Sequence, residues 1–301
     1  MKAIDVIRSK ASIAKEKVMD ADIVLIDACC DGKVNGVSVI DYLKDARGVQ
    51  NLDPETMRRY TREFKVISEF FQGDNVCVVP EVYSEIGRFS KILKKRLKWI
   101  RDATGLKLKK SKGKLKENSK RGLDLLNPLE QEVKNLTNVL KDNTLDLRED
   151  IYYYNILNFV NYISQNTGAK TDSSYLRGKS HIDKSKRLDA DEKTIAAAYY
   201  HSFNGKKANI ITRDYTNFNG LIGHTAAVLN LRDSAQSDCA LRNSLLNFPV
   251  TAYYKSDDWT FKQISSSEHA VMFKTNLPEE RREIPIWEID VKANELLSQI
   301  A

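Results

Sequence analysis

Two short strand-like segments each deliver an acid at their carboxyl end: the apolar run Ile23-Val24-Leu25-Ile26 is followed by Asp27, and Asn209-Ile210-Ile211-Thr212-Arg213 by Asp214. A charge following a buried strand needs compensation, so this repeated placement restricts both the fold and its use. Two more acids stand in related places. Glu85 lies just inside the helix that should follow Val76-Cys77-Val78-Val79-Pro80, and Asp191 opens the small-residue helix Thr194-Ile195-Ala196-Ala197-Ala198. Strands alternating with helices predict an α/β fold, and open α/β sheets collect ligands at the carboxyl ends of their strands.

Carboxylates held a few ångströms apart raise one another's pKa unless a cation compensates them. Mg²⁺ and Mn²⁺ prefer oxygen ligands and keep several waters, so three or four acids without His or Cys suit either ion. Such a site points to phosphoryl chemistry. Ordinary roles compete at each position, because Asp and Glu are abundant as helix caps. Glu81, one turn before Glu85 on the same helix face, is its rival. Asp189 or Glu192 could stand in for Asp191, and Thr212 reads equally as the plain end of its strand.

With 301 residues and 42% apolar content, the chain can bury a substantial core in one large domain or two small ones. No apolar stretch approaches the roughly 20 residues a bilayer span needs, and charge interrupts Met1 to Lys17 where a signal peptide needs an apolar run. These features predict a soluble, cytoplasmic protein with no membrane partner. Cys29, Cys30, Cys77 and Cys239 form no Cys-x-x-Cys pair, which argues against a zinc site or a disulfide framework. The four scattered histidines are assigned no chemistry.

Basic charge is concentrated. Between residues 91 and 121 fourteen Lys and Arg oppose only Asp102 and Glu117, a local +12, so the net +7 leaves −5 for the rest of the chain. Lys94, Lys95, Arg96, Lys98, Lys109, Lys110 and Lys112 are the candidate contacts to a phosphate backbone, each releasing counterions on binding. A solvated linker or an anionic membrane surface would use the same composition. Trp99 within the cluster could stack on a base, or pack with Leu93 and Leu97 at helical spacing.

The periodicities predict a helix over Ala3 to Met19, a strand at Ile23 to Ile26, a helix capped by Ser38, and another opened by Asp53-Pro54 that ends before Gly73. A strand at Val76 to Val79 leads into the helix carrying Glu81 and Glu85. Residues 107 to 122 read as a Lys/Gly/Ser-rich stretch, with helices near Pro128 to Leu140 and Ile151 to Ile163. The basic residues 167 to 188 read as a loop. After it come a helix at 189 to 203, a strand at Ala208 to Ile211, a helix around Asn219 to Leu229, strands at Val250 to Tyr254 and Trp259 to Ile264, and a closing helix from Val291 to Ile300.

The order of these acids resembles that of the PIN-domain nucleases. Val24-Leu25-Ile26-Asp27 is similar to the family's first strand and first acid, and Val78-Val79-Pro80-Glu81-Val82-Tyr83-Ser84-Glu85-Ile86 to the segment supplying the second. Asp191-Glu192-Lys193-Thr194-Ile195-Ala196-Ala197-Ala198 resembles the third, and Ile210-Ile211-Thr212-Arg213-Asp214 the Thr-x-Asp signature of the fourth. The chain departs from the pattern with Ala28-Cys29 after the first acid, and with about a hundred residues between Glu85 and Asp191.

The resemblance implies a single three-layer PIN-like domain with a central, mainly parallel sheet. Its core would cover about 21–100 and 186–264, with a basic helical insertion at about 101–185 and an extension from 265. Asp27, Glu85, Asp191 and Asp214 would hold one or two Mg²⁺ or Mn²⁺ ions, Thr212 would support them, and the activity would be phosphodiester hydrolysis. RNA is favoured over DNA through the resemblance alone. A PIN-like scaffold that binds RNA without cleaving it and a flap-endonuclease-like DNA nuclease are the alternatives, with a homo-oligomer or protein partner left open. Haloacid-dehalogenase phosphatases fit less well, since position 29 is Cys where they need Asp, and neither a Rossmann turn nor a P-loop is present.

Overall fold

The computed structural model describes residues 13–27, 33–35, 37–46, 51–108, 114–147, 149–169, 190–231, 239–256, 258–272, 277 and 284–300. In chain order the elements are α1 (Lys15–Met19), β1 (Ile23–Ile26), β2 (Lys33–Val34), β3 (Val37–Ser38), α2 (Val39–Asp45), α3 (Pro54–Phe70), β4 (Val76–Cys77), α4 (Pro80–Leu108) and α5 (Lys114–Asp142). They continue with α6 (Ile151–Asn166), α7 (Ala190–Phe203), β5 (Ala208–Thr212), α8 (Tyr215–Leu231), α9 (Ala240–Asn247), β6 (Val250–Lys255), β7 (Phe261–Ser266), α10 (Ser267–Met272) and α11 (Ile286–Leu297). Two compact units result. One gathers Met1–Cys29, Cys77–Glu81 and Leu145–Ala301, the other Cys30–Val76 and Val82–Thr144. The stretch expected as one insertion at 101–185 is thus divided at Thr144.

The first unit is an α/β structure built on a mainly parallel sheet of order β4-β1-β5-β6-β7, flanked by helices. β5 pairs in parallel with both β1 and β6, and β7 closes the edge antiparallel to β6. Every residue of β1 and β5 is buried, the pattern of strands covered on both faces. Ile26 lies opposite Ile211, which places the residues just beyond them, Asp27 and Thr212, side by side at the same sheet end. The α7 residues Ile195, Ala196, Ala197 and Ala198 are fully buried where α7 packs on β1 and β5. Helix α8 approaches the chain leaving α6 so closely that a Cβ built on Gly220 would lie 2.1 Å from the Ala169 carbonyl oxygen. Gly168 reverses the chain there with φ +66°, a left-handed conformation that costs glycine little.

The second unit pairs two amphipathic helices, α3 and α5. Asp53 caps α3 through the Thr56 amide at 2.8 Å with Pro54 in its first turn, and Ser38 caps α2 through the Asp41 amide. The Lys/Gly/Ser-rich stretch 107 to 122 is helical to Leu108 and again from Lys114, so the helix expected near Pro128 to Leu140 starts earlier and α5 carries Pro128 in its interior. Lys, Leu, Glu and Arg favour helix, and burial of Leu126, Leu129, Val133, Leu136 and Leu140 offsets the roughly 3 kcal/mol an interior proline costs.

The expected helix over Ala3 to Met19 is also corrected. Its first part lies outside the described residues, Ile13 donates its amide to the Phe261 carbonyl at 2.8 Å, and extended Ala14 interrupts the expected helix, so that its described part is Lys15–Met19. The strand expected through Val79 stops at Cys77, because the Val78 carbonyl accepts from the Leu145 amide at 2.9 Å. Short helices α9 and α10 were not expected, and the closing helix begins five residues before Val291, after Pro285. Among the described residues no helix is long and apolar enough to cross a membrane. Cys77 and Cys239 are free and buried, while Cys29 and Cys30 lie outside the described residues.

Candidate functional site

Three of the four predicted acids belong to the first unit, and hydrogen bonds connect them in a row. The ladder between β1 and β5 extends one residue past its end, where the Asp27 amide donates to the Ile211 carbonyl at 3.0 Å. That extra rung sets the Thr212 hydroxyl against the Asp27 carboxylate, Oγ1 to Oδ2 at 2.8 Å. The same hydroxyl accepts the Asp214 amide at 2.8 Å. A hydroxyl has one proton, and because the Asp214 amide is itself a donor, that proton is directed at Asp27, whose Oδ2 accepts it. Asp27 is only 4% exposed, so this bond offsets part of the cost of burying a polar group.

Asp214 plays two parts. Its Oδ1 accepts from the Asn217 amide at 3.0 Å, the cap of α8, while Asp214 itself is only partly buried. The Asn217 side chain then reaches the next helix, donating from Nδ2 to Asp191 Oδ2 at 3.3 Å. Asp27, Thr212, Asp214, Asn217 and Asp191 form one connected series at the carboxyl ends of β1 and β5. Asn217 has no role in the sequence reading, although its spacing of three from Asp214, that of a cap and its N3 partner, was a legible signal.

The rivals are committed elsewhere. Glu192 is buried and accepts from Ser164 Oγ on α6 at 2.5 Å, so Asp191 and not Glu192 joins the series. Asp189 lies outside the described residues. Glu81, in the first turn of α4, is ion-paired with Lys193 of α7 at 2.6 Å, Oε1 to Nζ, with both side chains largely covered. Glu85 stands one turn further along α4 and belongs to the second unit.

Burial holds both Cys77 and His201 in their neutral forms. Burial pushes the Cys77 thiol up to about 12, which leaves it protonated and a poor nucleophile. His201, on the last turn of α7, is pushed down to about 4 by burial, helped by the Lys206 charge, and is neutral at pH 7. The donors at the row are thus carboxylate, amide and hydroxyl oxygens, the chemistry a hard divalent ion selects. As placed, they are turned toward Thr212 and Asn217, and among the described residues no three His, Cys, Asp or Glu side chains converge on one ion.

In the second unit the basic candidates divide. Lys94, Lys95 and Lys98 are exposed, as is Lys91. Arg96 is occupied: its Nε donates to the Leu43 carbonyl at 2.9 Å and Nη2 to the Lys44 carbonyl at 2.7 Å, closing the carboxyl end of α2. Trp99 does not join Leu93 and Leu97 in the core; it is 47% exposed with the Arg96 guanidinium 4.2 Å from its ring centroid. Lys109, Lys110 and Lys112, and loop residues 170 to 188, lie outside the described residues. Compared with known proteins, the chain matches no protein-family model, no curated protein and no solved structure.

Proposed function

We propose that the protein is a metal-dependent nuclease of PIN type that hydrolyses phosphodiester bonds, with RNA as its substrate. The observation that carries this reading is the hydrogen-bonded row Asp27–Thr212–Asp214–Asn217–Asp191, at the sheet end where α/β proteins collect their ligands. Asp27, Asp191 and Asp214 are the residues to hold Mg²⁺ or Mn²⁺; Glu85 is included on sequence order alone. When bound, the ion supplies an activated water and neutralises charge developing on the phosphoryl and leaving oxygens.

The chain's own residues prepare that chemistry. Thr212 fixes one Asp27 oxygen, Oδ2, which holds the carboxylate at the end of β1 and leaves Oδ1 as the oxygen to offer an ion. Asn217 sets Asp191 relative to Asp214 in the same way. Exposed Lys94, Lys95 and Lys98 are suited to phosphate contacts that hold a strand without reading its bases.

Labelled mixed-sequence RNA and its DNA counterpart, incubated with Mg²⁺, Mn²⁺ or EDTA, test the reading. RNA cut only with a divalent ion is the expected result. Preferential cutting of DNA flaps would transfer the assignment to a structure-specific DNA nuclease. Tight binding without cleavage in any metal would make the protein a PIN-like scaffold.

A further inference from the structure

Trp99 is unusual in being large, apolar, exposed and yet held in place. The guanidinium over its ring is not a swinging surface charge, because both bonds from Arg96 to the α2 carbonyls tie it down. A rigid cation against an indole fixes the ring's orientation and withdraws density from its face. At 100° per residue, Arg88, Ile92, Lys95 and Trp99 fall on one strip of α4, with Lys91 and Lys98 beside it. All but Arg96 are exposed, Ile92 by 52%. Asp102 is the acidic exception at the end of the strip.

Arg88 to Trp99 spans about 16 Å of helix axis, long enough to follow several phosphates of a strand that rises roughly 3.4 Å per nucleotide. Cations along a groove-like track with an aromatic platform are what sequence-tolerant single-strand binding needs, since every base has a π-face and stacking requires that it be unpaired. A membrane surface demands more: an interfacial helix buries a wide apolar face, whereas Leu93, Leu97 and Ile100 are fully buried in the protein, and between Arg88 and Asp102 the exposed large apolar residues are Ile92 and Trp99.

We propose that this face of α4 is a single-stranded nucleic-acid platform, in which one unpaired base stacks on Trp99, held by Arg96, while Lys91, Lys95 and Lys98 take the flanking phosphates. It deepens the nuclease reading by naming a single-stranded substrate, and rests on that reading.

Fluorescence anisotropy in EDTA tests it, with the full chain and a labelled 12-nucleotide oligouridylate, the same strand with abasic residues, an RNA duplex, and phosphatidylserine/phosphatidylcholine vesicles. Trp99→Ala is expected to weaken oligouridylate binding about 10-fold, with Trp99→Phe near wild type. Its binding to the abasic strand and its salt dependence should not change. Replacing Lys91, Lys95 and Lys98 together by Gln should lower the salt slope by about 2. Oligouridylate binding that ignores Trp99→Ala overturns the platform while leaving the nuclease reading intact, and vesicle binding without strand binding assigns the face to a membrane and overturns it too. Wild-type protein that cuts no RNA with any metal, yet loses oligouridylate affinity with Trp99→Ala, would instead overturn the nuclease reading and leave the platform standing.

Discussion

The acids of the first unit and the cations of the second solve opposite problems. Asp27 is nearly buried, and each acid of the row is tied to its neighbour by a side chain that itself has a second contact. Lys94, Lys95 and Lys98 stand in water. A buried charge must be satisfied in one geometry, so every group around it matters; exposed charges are screened and act nearly additively. The difference teaches where single substitutions should be severe and where only several together should tell.

Tolerance of single substitutions on the rigid side would erase this contrast. Gly220→Ala puts a methyl against the Ala169 backbone, and a loss of about 3 kcal/mol in urea unfolding is expected. Thr212→Val keeps the volume and removes the hydroxyl that serves Asp27 and Asp214. It should cost about 2 kcal/mol and about 100-fold in cleavage, with Thr212→Ser restoring most of both.

The same side should also be acid-sensitive. His201 in the fold titrates at about 4 against its ordinary 6.5, so the unfolded chain takes the proton first as pH falls. Stability is full above pH 6.5 and declines between 6.5 and 4, by about 3 kcal/mol, and a melting series should show His201→Leu less dependent on pH in that window. Asn217→Ala releases Asp191 and is expected to slow cleavage about 10-fold with little loss of stability, a split that sharpens the claim that Asn217 orients a carboxylate. Smallest of all, Lys94→Gln alone should weaken RNA binding no more than about twofold and reduce the salt slope by about 0.7.

How much of this was legible follows from the range of the interactions involved. Strand β1 was readable because its run is apolar throughout and β5 because its Ile210-Ile211 core is followed by a turn acid, and the Ser38 and Asp53 caps because capping is decided within three residues. The early start of α5 was not, since Pro128 marks a helix start locally and only packing against α3 keeps it inside one. Trp99 shows the same limit: its spacing from Leu93 and Leu97 does not reveal that Arg96 reaches back over fifty residues to α2 and holds the ring outside the core. At the row of acids, the positions of Asp27 and Asp214 could be read, but the choice of Asp191 over Glu192 depended on Ser164 and Asn217, each brought in by tertiary packing.

The most direct test of the central claim is single-turnover cleavage of labelled RNA in Mn²⁺ by wild type, Asp27→Asn and Asp214→Asn, each first shown to be folded. Metal-dependent cleavage by the wild type, lost in both variants while RNA binding persists, is the predicted result. Cleavage that survives both substitutions would contradict it, because the connected acids at the ends of β1 and β5 would then not be the active site.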